Sequence, residues 1–261
     1  MQHFHLKGIN LVYKKKNYKI ISNKIFSKDR IFIFFSGNGL YYPNTNEVFK
    51  KIIINQDRYE WFGISKNIDC KKIIFVRDIY KYWYFKGINN KINTINKLIA
   101  MLRYETKNSS EVVCVGSSAG GHMASIISLY IKNSYVLNFS GQFNLKPMNF
   151  LNYKYFDICK LINKSKMFYF FSIFCYDDYV QYNLVKNKKN IKFFKFKSDV
   201  HGPALEKRVL INLLNLSYED LLTLHKKNKK FINKYLFSFQ LVNPVVFVIN
   251  LFYKKITEFF K

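Results

Sequence analysis

The sequence predicts an α/β fold, in which helices cover both faces of a mostly parallel β-sheet. Three observations lead to this prediction. Short runs of β-favouring residues alternate along the chain with segments that carry the helical i, i+3, i+4 apolar spacing. The runs are apolar throughout, as expected of strands buried on both faces. Apolar residues make up 49% of the 261 residues, so the chain can bury a large core and global disorder is excluded.

The strands are predicted from runs rich in Ile, Val, Phe and Tyr that stop at turn-forming residues. The clearest are Arg30–Phe35 (RIFIFF), which stops at Ser-Gly-Asn-Gly, and residues 111–115 (EVVCV), which stop at a second glycine-rich turn. The complete set comprises residues 10–16, 18–23, 30–35, 71–76, 111–115, 134–139, 166–175 and 191–197.

Four helices are predicted between or after these strands. The best supported covers residues 88–104, because apolar side chains recur there on one helical face; they are Ile92, Ile95, Leu98, Ile99 and Leu102. The other predicted helices cover residues 119–131, 178–188 and 202–216. A helix between two apolar strands is typical of a crossover connection, which pairs the strands in parallel.

Residues 1–230 are expected to form one domain, since the chain contains no internal repeat and no low-complexity linker. The segment 144–165 is too long for a simple connection between strands, and we expect it to form a small lid over the strand ends. The four cysteines share no CxxC spacing, which excludes a disulfide scaffold and a zinc ribbon and favours a reducing compartment. Residues 1–20 contain no apolar stretch of signal-peptide length, so a cytoplasmic location is expected.

The chain is strongly basic: 43 Lys and Arg against 16 Asp and Glu give a net charge of +27. Such a charge attracts anionic surfaces, and both phosphate backbones and anionic lipid headgroups qualify. The sequence shows no helix-turn-helix, RNP or zinc pattern that would favour nucleic acid. Residues 80–85 (YKYWYF) could stack on bases, but packing in the core or lid is the preferred interpretation. The oligomeric state is not predicted.

The C-terminal segment, residues 231–261, combines apolar and basic character. Within it, 14 of the 19 residues 235–253 are apolar, and lysines flank this stretch on both sides. Pro244 and several amide side chains disfavour a membrane-spanning helix. An interfacial helix on an anionic membrane is one prediction for this segment, and a final element packed on the sheet is the alternative.

A serine turn follows the predicted strand 111–115. Gly116-Ser117-Ser118-Ala119-Gly120 fits G-x-S-x-G, with a buried strand before it and a small-residue helix after it. In that setting the central Ser118 lies on a sharp turn with its hydroxyl above the strand ends. The backbone N–H of Ala119, at the start of the helix, is the natural first donor to an oxyanion. The alternatives are a turn that only packs closely and a phosphate-binding turn, whose lysine and spaced glycines are missing here.

A serine nucleophile requires a base, and the base requires an orienting carboxylate. Of five histidines, His201 is the candidate base because it follows the strand 191–197 and precedes a helix. His122 is expected to pack or to face solvent, and His225 is expected on the surface. The candidate acid follows the strand 166–175, where Asp178 is preferred and Asp177 is the alternative. Asp199, on the same loop as His201, is a weaker candidate.

The second oxyanion donor is expected from the loop after Arg30–Phe35. A backbone N–H of Gly37 or Asn38 is the prediction, although this loop lacks a His-Gly-Gly run.

The order Ser118, Asp178, His201 resembles that of the α/β-hydrolase superfamily, and the resemblance covers roughly residues 30 to 216. It implies that Ser118 is the nucleophile, His201 the base and Asp178, or Asp177, the acid. The compact size and the YDDY and HG loops are similar to those of small members encoded with bacterial capsule and surface-polysaccharide genes. That likeness implies an esterase or an O-acyltransferase acting on a surface polysaccharide or glycolipid. The chain departs from the superfamily in its basic C-terminal segment and its plain oxyanion loop.

The resemblance implies no metal and no bound cofactor, with a donor such as acetyl-CoA if the protein is a transferase. Two other functions compete with serine chemistry. One is a non-catalytic, basic membrane- or nucleic-acid-binding protein that retains the fold. The other is a metal-dependent, glycosyltransferase-like enzyme, for which Asp177 and Asp178 form the only suitable acidic pair at a strand end.

Overall fold

Seven strands form one sheet in the spatial order β1-β3-β2-β4-β5-β6-β7. The computed structural model describes residues 6–145, 154–203 and 205–227. The strands are β1 Tyr18–Ser22, β2 Arg30–Phe35, β3 Lys72–Val76, β4 Glu111–Ser117, β5 Ser134–Phe139, β6 Lys166–Ser172 and β7 Ile191–Phe196. Strand β1 pairs antiparallel with β3, and the remaining neighbours pair in parallel. The carboxyl ends of β2 to β7 therefore meet at one edge of the sheet, which we call the carboxyl edge.

Seven α-helices accompany the sheet in the described residues. They are α1 Ile9–Tyr13, α2 Asn46–Phe49, α3 Ile95–Thr106, α4 Ala119–Ser128, α5 Tyr176–Val185, α6 Lys207–Asn215 and α7 Tyr218–Lys227. A π-helical turn at Lys50–Asn55 continues α2, and short 3-10 helices occupy Phe62–Asn67 and Leu161–Lys164.

The sheet separates two apolar cores, which explains why its strands lack polar alternation. In β2, Ile31, Ile33 and Phe35 enter the core that contains α3 and α4. Phe32 and Phe34 enter the opposite core, against which α6 and α7 pack. Strands β2 to β6 bury both of their faces in this way, so both sets of alternate positions in them are apolar, whereas the edge strands β1 and β7 are only partly buried. The predicted fold class, a mostly parallel sheet with helices on both faces, is confirmed.

The segment 10–16, predicted as a strand, is instead the short helix α1, Ile9–Tyr13. Gly8 adopts φ 85° and begins the helix, and Val12 and Tyr13 at its end are buried. Val12 packs in a small satellite core with Ile79. A run of only three apolar residues, Leu11 to Tyr13, fits one helical turn as well as a short strand, and only the packing partner distinguishes the two.

Two predicted helices begin later than expected because loops occupy their first residues. Helix α3 starts at Ile95, where the Thr94 hydroxyl accepts from the N–H of Lys97 and caps it. The preceding residues form a turn closed by the N–H of Ile88 and the carbonyl of Ile92. Helix α6 starts at Lys207 rather than at residue 202.

The remaining elements differ from prediction at their ends. The helix predicted at 119–131 ends at residue 128, the strand predicted at 166–175 ends at residue 172, and the helix predicted at 178–188 covers residues 176–185. The early end of β6 leaves three residues for a turn, so Asp178 falls in the first turn of α5.

The predicted lid is only partly within the described residues, which omit 146–153. Of the remainder, Tyr155, Ile158 and Ile162 are buried in the core that contains α4. The predicted C-terminal segment 231–261 and the domain boundary at residue 230 lie outside the described residues. In residues 6–145, 154–203 and 205–227, no helix combines the length and apolar character needed to cross a bilayer.

A substitution of Gly120, at the start of α4, tests how closely this helix must approach the sheet. A Cβ at this position would lie 2.2 Å from the backbone oxygen of Phe35 in β2. We expect Gly120→Ala to lower the free energy of unfolding by about 3 kcal/mol, because neither backbone can move without repacking the core. Chemical denaturation measures the loss.

Gly39→Ala is the matched control, since a Cβ at Gly39 meets nothing within 4 Å. Its effect should stay within about 0.5 kcal/mol, as for an ordinary surface substitution. Equal stability of the two variants would show that α4 does not require the close approach.

Candidate active site

The turn between β4 and α4 holds Ser118 in a strained backbone conformation. Its φ of 51° and ψ of −119° lie outside the regions that residues with a side chain normally adopt. Strain of this kind costs about 1–3 kcal/mol and persists only where neighbouring structure enforces it. Here the N–H of Ser118 donates to the carbonyl of Phe139 at 3.0 Å, and its own carbonyl accepts from the N–H of His122 at 3.1 Å. These bonds fix the half-buried serine at the carboxyl edge.

The glycines on either side of Ser118 are required by close backbone approaches. A Cβ on Gly116 would lie 2.2 Å from the carbonyl oxygen of Gly120. Gly120 in turn approaches the carbonyl of Phe35, so the start of α4 lies against both β4 and β2. This proximity aims the N-terminus of α4, with its unpaired N–H groups, at the space above the strand ends.

Asp178 is buried in the first turn of α5, and its carboxylate binds the ring of His201. The distance from Asp178 Oδ1 to His201 Nδ1 is 2.6 Å. The second oxygen, Oδ2, accepts from the N–H of Ser172 at 3.0 Å and that of Gly202 at 3.4 Å, and from the hydroxyl of Ser140. Of the two candidate acids, Asp178 therefore contacts the histidine, whereas Asp177 is exposed on the same helix.

His201 lies on the loop after β7 with a ring that is 36% exposed. Burial lowers the pKa of this ring, but the hydrogen bond to Asp178 and the negative charge of that carboxylate, with Cys175 also beside the ring, outweigh burial and raise the pKa above 6.5. A proton on Nδ1, facing Asp178, leaves Nε2 available as an acceptor. This is the orientation that a general base for a serine requires.

The structure brings the histidine loop to the serine turn. A Cβ on Gly202, next to His201, would lie 3.9 Å from the hydroxyl of Ser117, next to Ser118. In the described residues no hydrogen bond joins the Ser118 hydroxyl to the His201 ring. The Asp178–His201 pair is thus formed, and Ser118 lies at the same edge of the sheet.

The oxyanion donors differ from expectation at one position. The N–H of Gly37 donates to the Glu60 carboxylate at 2.6 Å, so Gly37 is not a free donor. Its neighbour Asn38 is half-buried, and no acceptor for its N–H occurs among the described residues. The N–H of Ala119, first in α4, also has no partner within its helix. Ala119 and Asn38 remain the candidate donors.

Two contributors to the site carry no signal in the sequence. Burial raises the pKa of the Glu60 carboxyl, although its bond to Gly37 opposes the shift. Ser140, which holds Asp178, follows β5 with a φ of 52°. A lone glutamate and a lone serine in loops match no motif, and both act through contacts distant in sequence.

The other candidate residues lie elsewhere. His122 is buried in α4 between the carbonyls of Gln142 and Tyr155, at 2.8 and 3.0 Å from its two ring nitrogens. Burial lowers its pKa to about 4, although the two contacts oppose the shift. His225, expected on the surface, is half-buried with its ring 5.6 Å from that of Phe194. Asp199 is exposed.

Asp178→Asn should lower the pKa of His201 towards its ordinary value. The substitution removes the negative charge and the strongest acceptor that favour the protonated ring, whereas burial, which opposes protonation, is retained. NMR titration of the histidine ring signals measures the shift. Asp177→Asn, which alters an exposed carboxylate one residue away, should leave the His201 titration unchanged. An unchanged His201 pKa in Asp178→Asn would contradict the pairing.

Comparisons with known proteins identify the fold. No protein-family model matches the sequence, and no curated protein matches it. Among solved structures, the chain is similar to a protein of unknown function from Staphylococcus aureus, with a TM-score of 0.52, 12% identity and coverage of 80% of this chain and 93% of that one. It is also similar to the capsule O-acetyltransferase of Neisseria meningitidis serogroup A, with a TM-score of 0.50, 12% identity and coverage of 81% and 92%.

An alpha-beta serine hydrolase homologue from Coxiella burnetii overlaps more loosely, with a TM-score of 0.41, 13% identity and coverage of 77% and 91%. The architecture expected from the sequence is confirmed: this chain shares its fold, a mostly parallel sheet with helices on both faces, with the staphylococcal protein and the capsule O-acetyltransferase.

Proposed function

We propose that the protein is a serine-dependent enzyme that transfers acyl groups through an acyl-enzyme. The observation that carries the proposal is the 2.6 Å contact between Asp178 and His201 at the sheet edge where Ser118 occupies its strained turn. A carboxylate bound to one nitrogen of an imidazole allows the other nitrogen to remove the proton of a nearby hydroxyl group. A turn that only packs would not need a buried carboxylate directed at the histidine.

The proposed reaction begins with attack of Ser118 Oγ on the carbonyl carbon of an ester or thioester. Nε2 of His201 takes the hydroxyl proton, and Asp178 stabilises the imidazolium that forms. The negative charge that develops on the carbonyl oxygen is stabilised by the N–H groups of Ala119 and Asn38. The tetrahedral intermediate collapses, His201 returns the proton to the leaving alcohol or thiol, and an acyl-Ser118 ester remains.

A second acceptor completes the cycle. Water gives an esterase, and a sugar hydroxyl gives an O-acyltransferase; His201 deprotonates either one, and Ser118 regains its proton. Because the pKa of His201 is raised, the unprotonated base increases as the pH rises, and so should the rate. An acyl donor such as acetyl-CoA serves the transferase, and no bound metal or cofactor takes part.

Two observations support a surface polysaccharide or glycolipid as the substrate class. One is the likeness in fold to a capsule O-acetyltransferase. The other is the net charge of +27, which attracts acidic glycans and anionic membrane surfaces. We further propose that the enzyme works at the cytoplasmic face of a membrane, with residues 231–261 as the docking segment. Nucleic acid is not part of the proposal.

A fluorophosphonate probe tests the nucleophile. Wild type should be labelled, and Ser118→Ala and His201→Ala should lose labelling by at least about 10³-fold, because each removes a group on which the attack depends. Ser117→Ala is the matched control and should remain labelled, since it alters the hydroxyl next to the nucleophile. Undiminished labelling of Ser118→Ala would show that another group reacts and would overturn Ser118 as the nucleophile. An unlabelled wild type of native fold would favour the non-catalytic alternative.

The acceptor can be identified with p-nitrophenyl acetate as donor. If the enzyme is a transferase, an acidic oligosaccharide should raise the rate of p-nitrophenol release and should itself gain acetyl groups, detected by mass spectrometry. If it is an esterase, water receives every acetyl group, so acetate accompanies the released p-nitrophenol, the sugar gains no acetyl groups, and the sugar leaves the rate unchanged. Ser118→Ala should show neither reaction. Acetyl transfer by Ser118→Ala would contradict the acyl-enzyme.

A further inference from the structure

Three metal-ligating side chains of different chemistry meet at the base of the site. One ligand atom each of Cys175, Asp178 and His201 lies within 4.8 Å of the other two. Cys175 is the N-cap residue of α5 and Asp178 lies in the first turn of that helix, so one helical turn presents both. His201 approaches from the loop after β7. Within residues 6–145, 154–203 and 205–227 this is the one cluster of its kind.

The proposed acyl transfer uses only two of these groups. Asp178 orients the ring and His201 moves the proton, whereas the Cys175 thiol has no step assigned to it. Cys175 is 8% exposed, yet its sulfur lies within 4.8 Å of a ring nitrogen of His201. A thiol placed behind a general base therefore calls for an explanation of its own.

The donor set selects the class of cation. A thiolate, an imidazole and a carboxylate are the ligands of Zn²⁺, whereas Ca²⁺ and Mg²⁺ prefer sites built from oxygen alone. Zinc bonds of about 2.0–2.3 Å place ligand atoms about 3.3–3.8 Å apart in a tetrahedron. The Asp178 oxygen and the His201 nitrogen, 2.6 Å apart, must separate by about 0.7 Å, and ligand atoms up to 4.8 Å apart must approach by about 1–1.5 Å. Side-chain rotation can supply movements of this size. Water would supply the fourth ligand.

The surroundings suit an ion that arrives from solvent. The His201 ring is 36% exposed and provides an entry, whereas the Asp178 side chain is fully buried. Asp178 is also held by the N–H of Ser172 and the hydroxyl of Ser140, and such outer hydrogen bonds orient a ligating carboxylate.

We propose that Cys175, Asp178 and His201 form a Zn²⁺ site whose occupation switches the enzyme off. On binding, the Cys175 thiol releases its proton to solvent, and the neutral His201 ring moves its one proton from Nδ1 to Nε2, so that the thiolate and the Nδ1 lone pair coordinate the ion. Nε2 then carries an N–H and no longer accepts the proton of Ser118. Zinc is thus an inhibitor and not a cofactor. The inhibition rests on the proposed function, but the binding does not.

Cobalt(II), a spectroscopic substitute for zinc, tests the site without any assay of activity. Wild type should bind one Co²⁺ with the near-ultraviolet absorption of a cobalt–thiolate bond, and Zn²⁺ should displace it. Cys175→Ser should lose that absorption and bind Zn²⁺ at least about 10-fold more weakly. Serine is a favoured N-cap residue, so the start of α5 should be preserved. Cys159→Ser, which removes another cysteine that is not fully buried, is the matched control and should retain the absorption.

Inhibition is read with the fluorophosphonate probe. Zn²⁺ should suppress labelling of wild type and of Cys159→Ser, a chelator should restore it, and Cys175→Ser should stay labelled in the same zinc concentration. Ser118→Ala should bind Co²⁺ as wild type does, which separates the metal site from the nucleophile. Absence of the thiolate band in wild type, or its persistence in Cys175→Ser, would overturn the site. Zinc-insensitive labelling of wild type would overturn the switch, whereas a metal-free wild type that takes no label would overturn the proposed function instead.

Discussion

The arrangement of the site depends on one buried carboxylate. Asp178 has no access to water, so its charge must be compensated by protein groups. The compensating donors come from the exits of three strands: Ser140 after β5, Ser172 at the end of β6, and Gly202 with His201 after β7. Because those strands are parallel, their exits meet at one edge, where a single side chain can reach them all. The charge that orients the histidine also ties together the loops that surround it.

The serine turn is maintained by the packing behind it. All ten residues of α4 are buried, and its glycines allow it to lie against β2 and β4 at distances that no side chain would permit. The strain at Ser118 is small beside the free energy of that packing. The half of the site on β4 is therefore rigid, whereas the His201 ring, partly exposed on a loop, has more freedom. A rigid Ser118 facing a more adjustable His201 ring suits the proposed reaction, in which the ring transfers protons to two different acceptors.

The sequence was informative where burial is symmetrical or a motif is local. The six strands with parallel neighbours, β2 to β7, were predictable because both faces of each contribute to a core. The serine turn was predictable because G-x-S-x-G reflects local backbone geometry. Helix ends were less predictable, since Thr94 caps α3 through a hydroxyl whose role depends on where the chain turns. Glu60 accepts a hydrogen bond from the N–H of Gly37, which lies 23 residues earlier in the sequence. Ser140 and Asp178 are likewise 38 residues apart in the sequence. Contacts at such separations follow from the folded topology and leave no periodic or spaced pattern in the sequence.

His122 has a consequence for the region behind the serine. With a pKa near 4 its ring is neutral at physiological pH, and a neutral imidazole carries one N–H. Its two nitrogens nevertheless face two carbonyls, those of Gln142 and Tyr155. The ring can donate to only one of them at a time, according to its tautomer. A proton on Nδ1 donates to Gln142, just after β5, and a proton on Nε2 donates to Tyr155. The helix that follows the serine thus contains a histidine with two alternative hydrogen-bonding states. They interconvert when one proton moves between the ring nitrogens, with no change in net charge.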